Sequence, residues 1–214
     1  MERFMTKIYL IRHGESEANS KHVFIGHTDL DITEKGHLQA EAAAQYLKDI
    51  HADVIYSSHL IRAYNTALHT ARVKNMDVIK TEKLREIYAG LWETLTMAEL
   101  DEKYPEDREV WKYNVGMSRP TGGESFIEVR DRIDIALREI AEANEGKSVF
   151  CFTHAAVIRS VSAYYMGYSP EETKNIPWGD NASVTELTYE NGKFTVVRYA
   201  YDEHLRAKGL NYGN

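Results

Sequence analysis

Lys7-Ile8-Tyr9-Leu10-Ile11-Arg12-His13-Gly14-Glu15 is the stretch on which the reading of this chain turns. The run Ile8-Tyr9-Leu10-Ile11 is apolar without interruption, as a strand covered on both faces must be. It ends abruptly in a cation, an imidazole, a glycine and an acid. An arginine beside a histidine where a buried strand runs out suits a bound anion with a nucleophile next to it.

Working outward, short apolar runs alternate with longer amphipathic stretches, the pattern of strands joined by crossover helices over a largely parallel sheet. The spacing predicts a strand over Lys7 to Ile11, a helix capped by Thr33 with Leu38, Ala42, Tyr46 and Leu47 on its inner face, and a strand over Asp53 to Tyr56. Ser58 is placed to cap a helix from about His59 to Val73, and a short strand follows over Asp77 to Lys80. From Glu124 onward, Phe126, Val129, Ile133, Leu137 and Ile140 trace a helical stripe ending near Gly146. The strand Ser148 to Thr153 leads into a helix holding Val157, Ile158 and Val161. Asn191-Gly192, between the β-rich runs Ser183 to Tyr189 and Phe194 to Ala200, marks a hairpin. The expected architecture is therefore α/β: a three-layer sandwich whose central sheet is mostly parallel, mixed by an antiparallel edge, and flanked by helices.

With 214 residues and 43% apolar content the chain can bury a substantial core, and no linker or repeat divides it, so a single domain over 1–214 is expected. A net charge of −7 argues against a nucleic-acid or membrane-surface partner, although a small cationic cluster can still hold a dianion. The one cysteine, Cys151, excludes an internal disulfide framework and lies in a strand pattern, as an inert core thiol would. No apolar leader follows Met1-Glu2-Arg3, which adds to the expectation of a reduced, cytoplasmic protein. Whether the chain is a monomer or a homodimer stays open.

Three strand ends carry residues suited to phosphate. The first delivers Arg12 and His13, the second leads through Ser57-Ser58 to Arg62, and the third delivers His154 just before a helix. Ligands of open α/β sheets bind outside the carboxyl ends of the strands, so one crevice can gather all three. Arg62, in the first turn of its helix, leans toward the helix N-terminus and could grip two phosphate oxygens with its planar fork. Each of these residues alone reads as an ordinary structural or solvated group. Their placement at three strand ends is what separates them from that reading.

Leu10-Ile11-Arg12-His13-Gly14-Glu15 with Asn19 resembles the signature of the histidine phosphatase superfamily, in the branch of cofactor-dependent phosphoglycerate mutases and their phosphatase relatives. Further matches are Gly26 with Asp29, Thr33-Glu34-Lys35-Gly36, Ser57 to Ala63 with Thr66-Ala67, Leu84-Arg85-Glu86, Gly90-Leu91-Trp92-Glu93, Gly123-Glu124-Ser125, Thr153-His154 and Asp202 to Leu205. The resemblance implies the phosphoglycerate mutase-like fold and a phosphomonoester hydrolase acting on a small phosphorylated metabolite through a phosphohistidine. It assigns His13 as nucleophile, Arg12, Arg62 and His154 as phosphate ligands, and Glu86 as proton donor, with Glu15 and Glu93 as the nearest competing acids. Asn19, Gly26, Ala155, Glu124 and Ser125 are further candidates for contact with the substrate. No metal or other cofactor is expected, since the remaining histidines lack ligand spacing.

The chain also departs from the mutase pattern. Ile25 precedes Gly26 where a Thr is usual, Thr94 follows Glu93 where Gly is commoner, and Ala155 replaces a Gly after the second histidine. The segment 88–120, expected to cover the pocket like a lid, spreads Lys103, Arg108, Lys112 and Arg119 among many acids. It lacks the adjacent arginine pair with which mutases hold a bisphosphorylated cofactor. Transfer to water is therefore favoured, with a cofactor-dependent phosphoglycerate mutase as the alternative and a non-catalytic phosphate-binding module as the third reading.

Overall fold

The computed structural model describes residues 4–211. Met1-Glu2-Arg3, the residues before the expected start of any apolar leader, lie outside the described residues. The elements run β1 (Thr6–Arg12), α1 (Glu17–Ser20), α2 (Glu34–Leu47), β2 (Val54–Ser58), α3 (Ile61–Lys74) and β3 (Val78–Thr81). A stretch of 3-10 turns and two short helices follows, α4 (Met97–Lys103) and α5 (Pro105–Tyr113). Then come α6 (Phe126–Ala143), β4 (Ser148–Thr153), α7 (Ala155–Tyr165), β5 (Val184–Glu190), β6 (Lys193–Tyr201) and α8 (Glu203–Arg206).

The six strands form one sheet in the order β3-β2-β4-β1-β5-β6. β3, β2, β4 and β1 are parallel, while β5 and β6 add the antiparallel edge. β1 and β4 occupy the middle, which explains their uninterrupted apolar runs. Successive residues of β1 alternate between two cores: Ile8 and Leu10 pack with Val129, Ile133 and Leu137 of α6, and Tyr9 and Ile11 with Leu47 of α2 and Ala67 of α3. Each large apolar side chain so buried contributes roughly 1.5–3 kcal/mol over leaving it in water. The hairpin closes as expected, with Asn191 at φ 52° and Gly192 at φ 77°, the left-handed pair of a type I′ turn.

Two local expectations need correction. Leu38 is 54% exposed; Ala42 and Leu47 are buried as expected, and Gly36, Gln39, Ala40 and Ala43 complete the buried side of α2. Small residues win that face because backbone approaches backbone there: a Cβ on Gly14 would lie 2.4 Å from the Gly36 carbonyl oxygen. The glycine after His13 thus admits helix α2. Ser58 does not cap α3, whose N-cap is Leu60; the Ile61 amide instead donates to Asp29 Oδ1 at 2.7 Å. Arg62 consequently stands second in the helix. Thr33 does cap α2, accepting from the Gly36 amide.

No helix among the described residues is long and apolar enough to cross a membrane. Cys151 is fully buried in β4, and burial pushes its thiol pKa up, so it stays a protonated core group.

Candidate active site

Register builds the site. β1 and β4 pair with Arg12 opposite Thr153, so the next residues, His13 and His154, emerge side by side with ring centroids 5.2 Å apart. The His13 amide donates to the Thr153 carbonyl at 3.0 Å, which locks the two strand ends together. They open onto a cleft of about 230 Å³ lined by Arg12, His13, Arg62, Glu86, Asn19 and Ala155, among others.

His13 is 4% exposed, and its Nδ1 lies 2.7 Å from the Gly14 carbonyl oxygen. A carbonyl can only accept, so the proton belongs on Nδ1 and the lone pair on Nε2. Burial, followed by the Arg62 and Arg12 charges, holds the His13 pKa well below the usual imidazole range. Asn181 donates to the His13 carbonyl at 3.0 Å and to Asn19 Oδ1 at 3.2 Å. His154 is completely buried, with Nε2 2.8 Å from Ser58 Oγ. Its Nδ1 is buried and has no hydrogen-bond partner among the described residues. Burial, then Arg62 and His13, depress its pKa as well.

The two guanidiniums are anchored by carbonyls. Arg62 Nη2 donates to Gly26 at 2.7 Å and Nη1 to Thr28 at 3.0 Å, while Arg12 Nη1 donates to Gly179 at 2.6 Å. Since each Nη carries two hydrogens, the Arg62 fork keeps donors for an anion. Gly26 could not be larger, because a Cβ there would lie 2.0 Å from the Ile87 carbonyl oxygen.

The three acids separate cleanly. Glu86 is 7% exposed and lines the cleft, accepting from the Ile87 amide at 2.9 Å and the Ala156 amide at 3.3 Å. Burial raises its pKa above the ordinary carboxylate value, against the pull of those amides and of Arg62. Glu15 turns away to Lys35 at 3.2 Å and to the Thr33 hydroxyl at 3.0 Å. Glu93 clamps the loop that anchors Arg62, accepting from the amides of Gly26, His27 and Thr28. Burial pushes the Glu93 pKa up, but hydrogen bonds from Thr28, His27 and Gly26 outweigh it and leave a lowered value.

Thr94, directly after Glu93, has φ 66°, a left-handed conformation that disfavours a β-branched residue. Thr94→Gly is expected to stabilise the fold by about 1 kcal/mol in urea titrations, since strain relief exceeds the added chain entropy. The bond from its amide to the Phe24 carbonyl at 2.9 Å is unaffected by the change.

Glu124 and Ser125 are not brought into the cleft. Ser125 is the N-cap of α6 in a capping box with Glu128, and Glu124 pairs with Arg132 at 2.6 Å. The sequence spacing Ser-x-x-Glu before an apolar stripe already held that capping signal. Trp111 lines the cleft, as does Trp178, which sequence reading missed because it stands in a loop without periodicity. Trp92 is fully buried and Tyr113 is exposed, and neither is among the residues lining the cleft. Asn181 was missed for the same reason as Trp178.

Comparison with known proteins agrees with this geometry. The model of the histidine phosphatase superfamily (branch 1) matches residues 8–202. Phosphoserine phosphatase 1 of Hydrogenobacter thermophilus is 35% identical over 202 residues, covering 94% of this chain and 95% of that one. A 2,3-bisphosphoglycerate-dependent phosphoglycerate mutase of Treponema denticola is 31% identical over 240 residues, covering 94% and 95%. A phosphoserine phosphatase variant from Entamoeba histolytica, solved in complex with phosphoserine, superposes with a TM-score of 0.83 at 28% identity, covering 94% of this chain and 99% of that one. A six-stranded phosphoglycerate mutase-like sheet, two histidines at adjacent strand ends and these matches lead to one assignment: the chain belongs to branch 1 of the histidine phosphatase superfamily.

Proposed function

We propose that His13 is the nucleophile of this enzyme, that Arg12, Arg62 and His154 hold the transferring phosphoryl group, and that Glu86 is the acid and base. The chain is a phosphomonoester hydrolase of the histidine-phosphatase type, acting on small phosphorylated substrates. What supports the assignment most is the His13 tautomer: Nδ1–H is tied to the Gly14 carbonyl at 2.7 Å, leaving Nε2 unprotonated for attack.

The chemistry then balances in two steps. Nε2 attacks phosphorus, the bond to the ester oxygen breaks with its electron pair on that oxygen, and the Glu86 proton goes to it. Water next attacks the phosphohistidine and gives its proton to the Glu86 carboxylate. The P–N bond breaks, its pair returns to Nε2, and phosphate leaves. Ser58 donates to His154 Nε2 in this reading, so that His154 Nδ1–H is the buried donor left for a phosphate oxygen. Asn19 and Ala155 contribute to the phosphate end of the cleft, and Gly26 acts through Arg62.

Residues 88–120 serve as the cover of the cleft. Its basic side chains all meet acids: Lys103 with Glu99 at 3.6 Å, Arg108 and Lys112 with Asp101 at 3.2 and 2.7 Å, and Arg119 with Glu128 at 2.8 Å. A mutase would need such cations for a second anionic group, so their pairing favours transfer to water. In this reading the enzyme works in the cytoplasm, where free Cys151 stays reduced.

The purified protein is expected to hydrolyse p-nitrophenyl phosphate with EDTA present and to be inhibited by vanadate. Cofactor-stimulated isomerisation of phosphoglycerate faster than its hydrolysis, in a coupled assay, would reverse the choice between hydrolase and mutase.

A further inference from the structure

Past its phosphate end the cleft changes character. Its wall there is Ile25, Ile87, Met97, Trp111 and Trp178. Among the described residues, the charged side chains lining it are Arg12, Arg62 and Glu86, all engaged by the phosphoryl chemistry above. Trp111 and Trp178 form an offset stack, with centroids 5.9 Å apart and planes 21° apart. Phe126 meets both edge-on, at 6.1 and 6.2 Å, and so fixes the pair. Trp178 nevertheless stays 40% exposed, an aromatic face kept in reach of solvent at the cleft.

A carboxylate or ammonium on the leaving group would lose hydration against this wall and find no counter-charge there. Of the cover's cations, Lys103, Arg108 and Lys112 are paired with its own acids and Arg119 with Glu128 of α6. Arg159 lies near but behind: its guanidinium is 4.3 Å from the Trp178 ring centroid, its Nη2 donates to the Thr173 carbonyl at 3.2 Å, and it does not line the cleft. The volume, about 230 Å³, is below the roughly 300–1,000 Å³ of sites for drug-sized ligands, so the leaving group is small.

Resting on the hydrolase reading, we propose that the preferred substrate is a phosphomonoester of an uncharged alcohol or phenol with a single-ring or compact apolar body, seated on Trp178 and Trp111. Phosphoserine and phosphoglycerate, with charged leaving groups, are the disfavoured class. The aromatic pair supplies stacking and apolar burial to any ring, which makes selection depend on shape and charge and not on directed hydrogen bonds.

The test compares kcat/KM for 2-phenylethyl phosphate, ethyl phosphate, O-phosphoserine and 3-phosphoglycerate, all alkyl esters of similar intrinsic reactivity. We expect 2-phenylethyl phosphate to exceed the other three at least tenfold. Trp178→Ala should lower its kcat/KM at least tenfold more than that of ethyl phosphate, mainly through KM, and Trp178→Phe should restore most of the loss. Equal values across the panel, or preference for either charged ester, overturn the proposal; loss of that preference in Arg159→Met would place an anion site at Arg159. If neither these esters nor p-nitrophenyl phosphate is turned over, the hydrolase reading fails on its own. Calorimetric titration of His13→Ala protein then still decides the wall: 2-phenylethyl phosphate binding at least tenfold tighter than O-phosphoserine supports it, and equal or reversed affinities overturn it.

Discussion

His13→Ala is expected to remain folded by circular dichroism and to lose on the order of 10⁵-fold in kcat on p-nitrophenyl phosphate. The variant removes the ring whose Nδ1 is fixed by a carbonyl, at 2.7 Å from Gly14, and whose Nε2 is thereby free for phosphorus. His154 cannot substitute, because its Nε2 is held by Ser58 at 2.8 Å. Retention of phosphate binding is expected, since both guanidiniums are held by backbone carbonyls and not by His13. A variant that kept more than about a tenth of the wild-type rate would remove His13 from the centre of the mechanism.

Glu86→Gln should divide the two half-reactions. With an alkyl ester, kcat is expected to fall about 10²- to 10⁴-fold, because the alkoxide then leaves without a proton. With p-nitrophenyl phosphate the stable nitrophenolate needs none, so the first step survives while water activation fails. A burst of one nitrophenolate per active site should precede a slow steady state, readable by stopped flow. The same pair sets the pH profile of kcat/KM. The lowered His13 pKa keeps the nucleophile neutral below pH 6.5, so the acid limb lies under that value. The raised Glu86 pKa keeps its proton above pH 4.5, so activity falls as pH rises through a value higher than that. In Glu86→Gln the alkaline limb should vanish and the acid limb persist. Loss of the acid limb instead would exchange the assigned roles.

Much of this was legible before any coordinates. β1 and β4 announce themselves because a strand covered on both faces has no freedom to be polar, and the parallel register of such strands brings His13 and His154 together without further instruction. Arg62 was legible as a phosphate candidate, though through the wrong cap: Asp29, far away in sequence, takes the α3 amide that Ser58 was expected to hold, and Ser58 turns to His154. Leu38 misled because apolar spacing counts methyls, whereas the inner face of α2 is decided by how near Gly36 comes to Gly14. Glu86 was singled out by resemblance alone. Only the fold gives the physical distinction, by engaging Glu15 with Lys35 and Glu93 with three amides while Glu86 is left buried at the cleft. Glu124 and Ser125 resemble substrate ligands in sequence because the ion pair of Glu124 with Arg132 and the helix cap of Ser125 use the same residue types that bind substrate. Trp178 and Asn181 could not be found by period, since the loop before β5 has none.

The central claim is the covalent one, and rapid alkaline quenching during turnover tests it most directly. Wild-type protein mixed with excess substrate, quenched in alkali and mapped by mass spectrometry, should carry phosphate on the peptide containing His13, labile to acid and stable to base. Glu86→Gln should accumulate it to nearly one per chain. Phosphate on another residue, or none in a Glu86→Gln protein that still shows the nitrophenolate burst, would contradict the account.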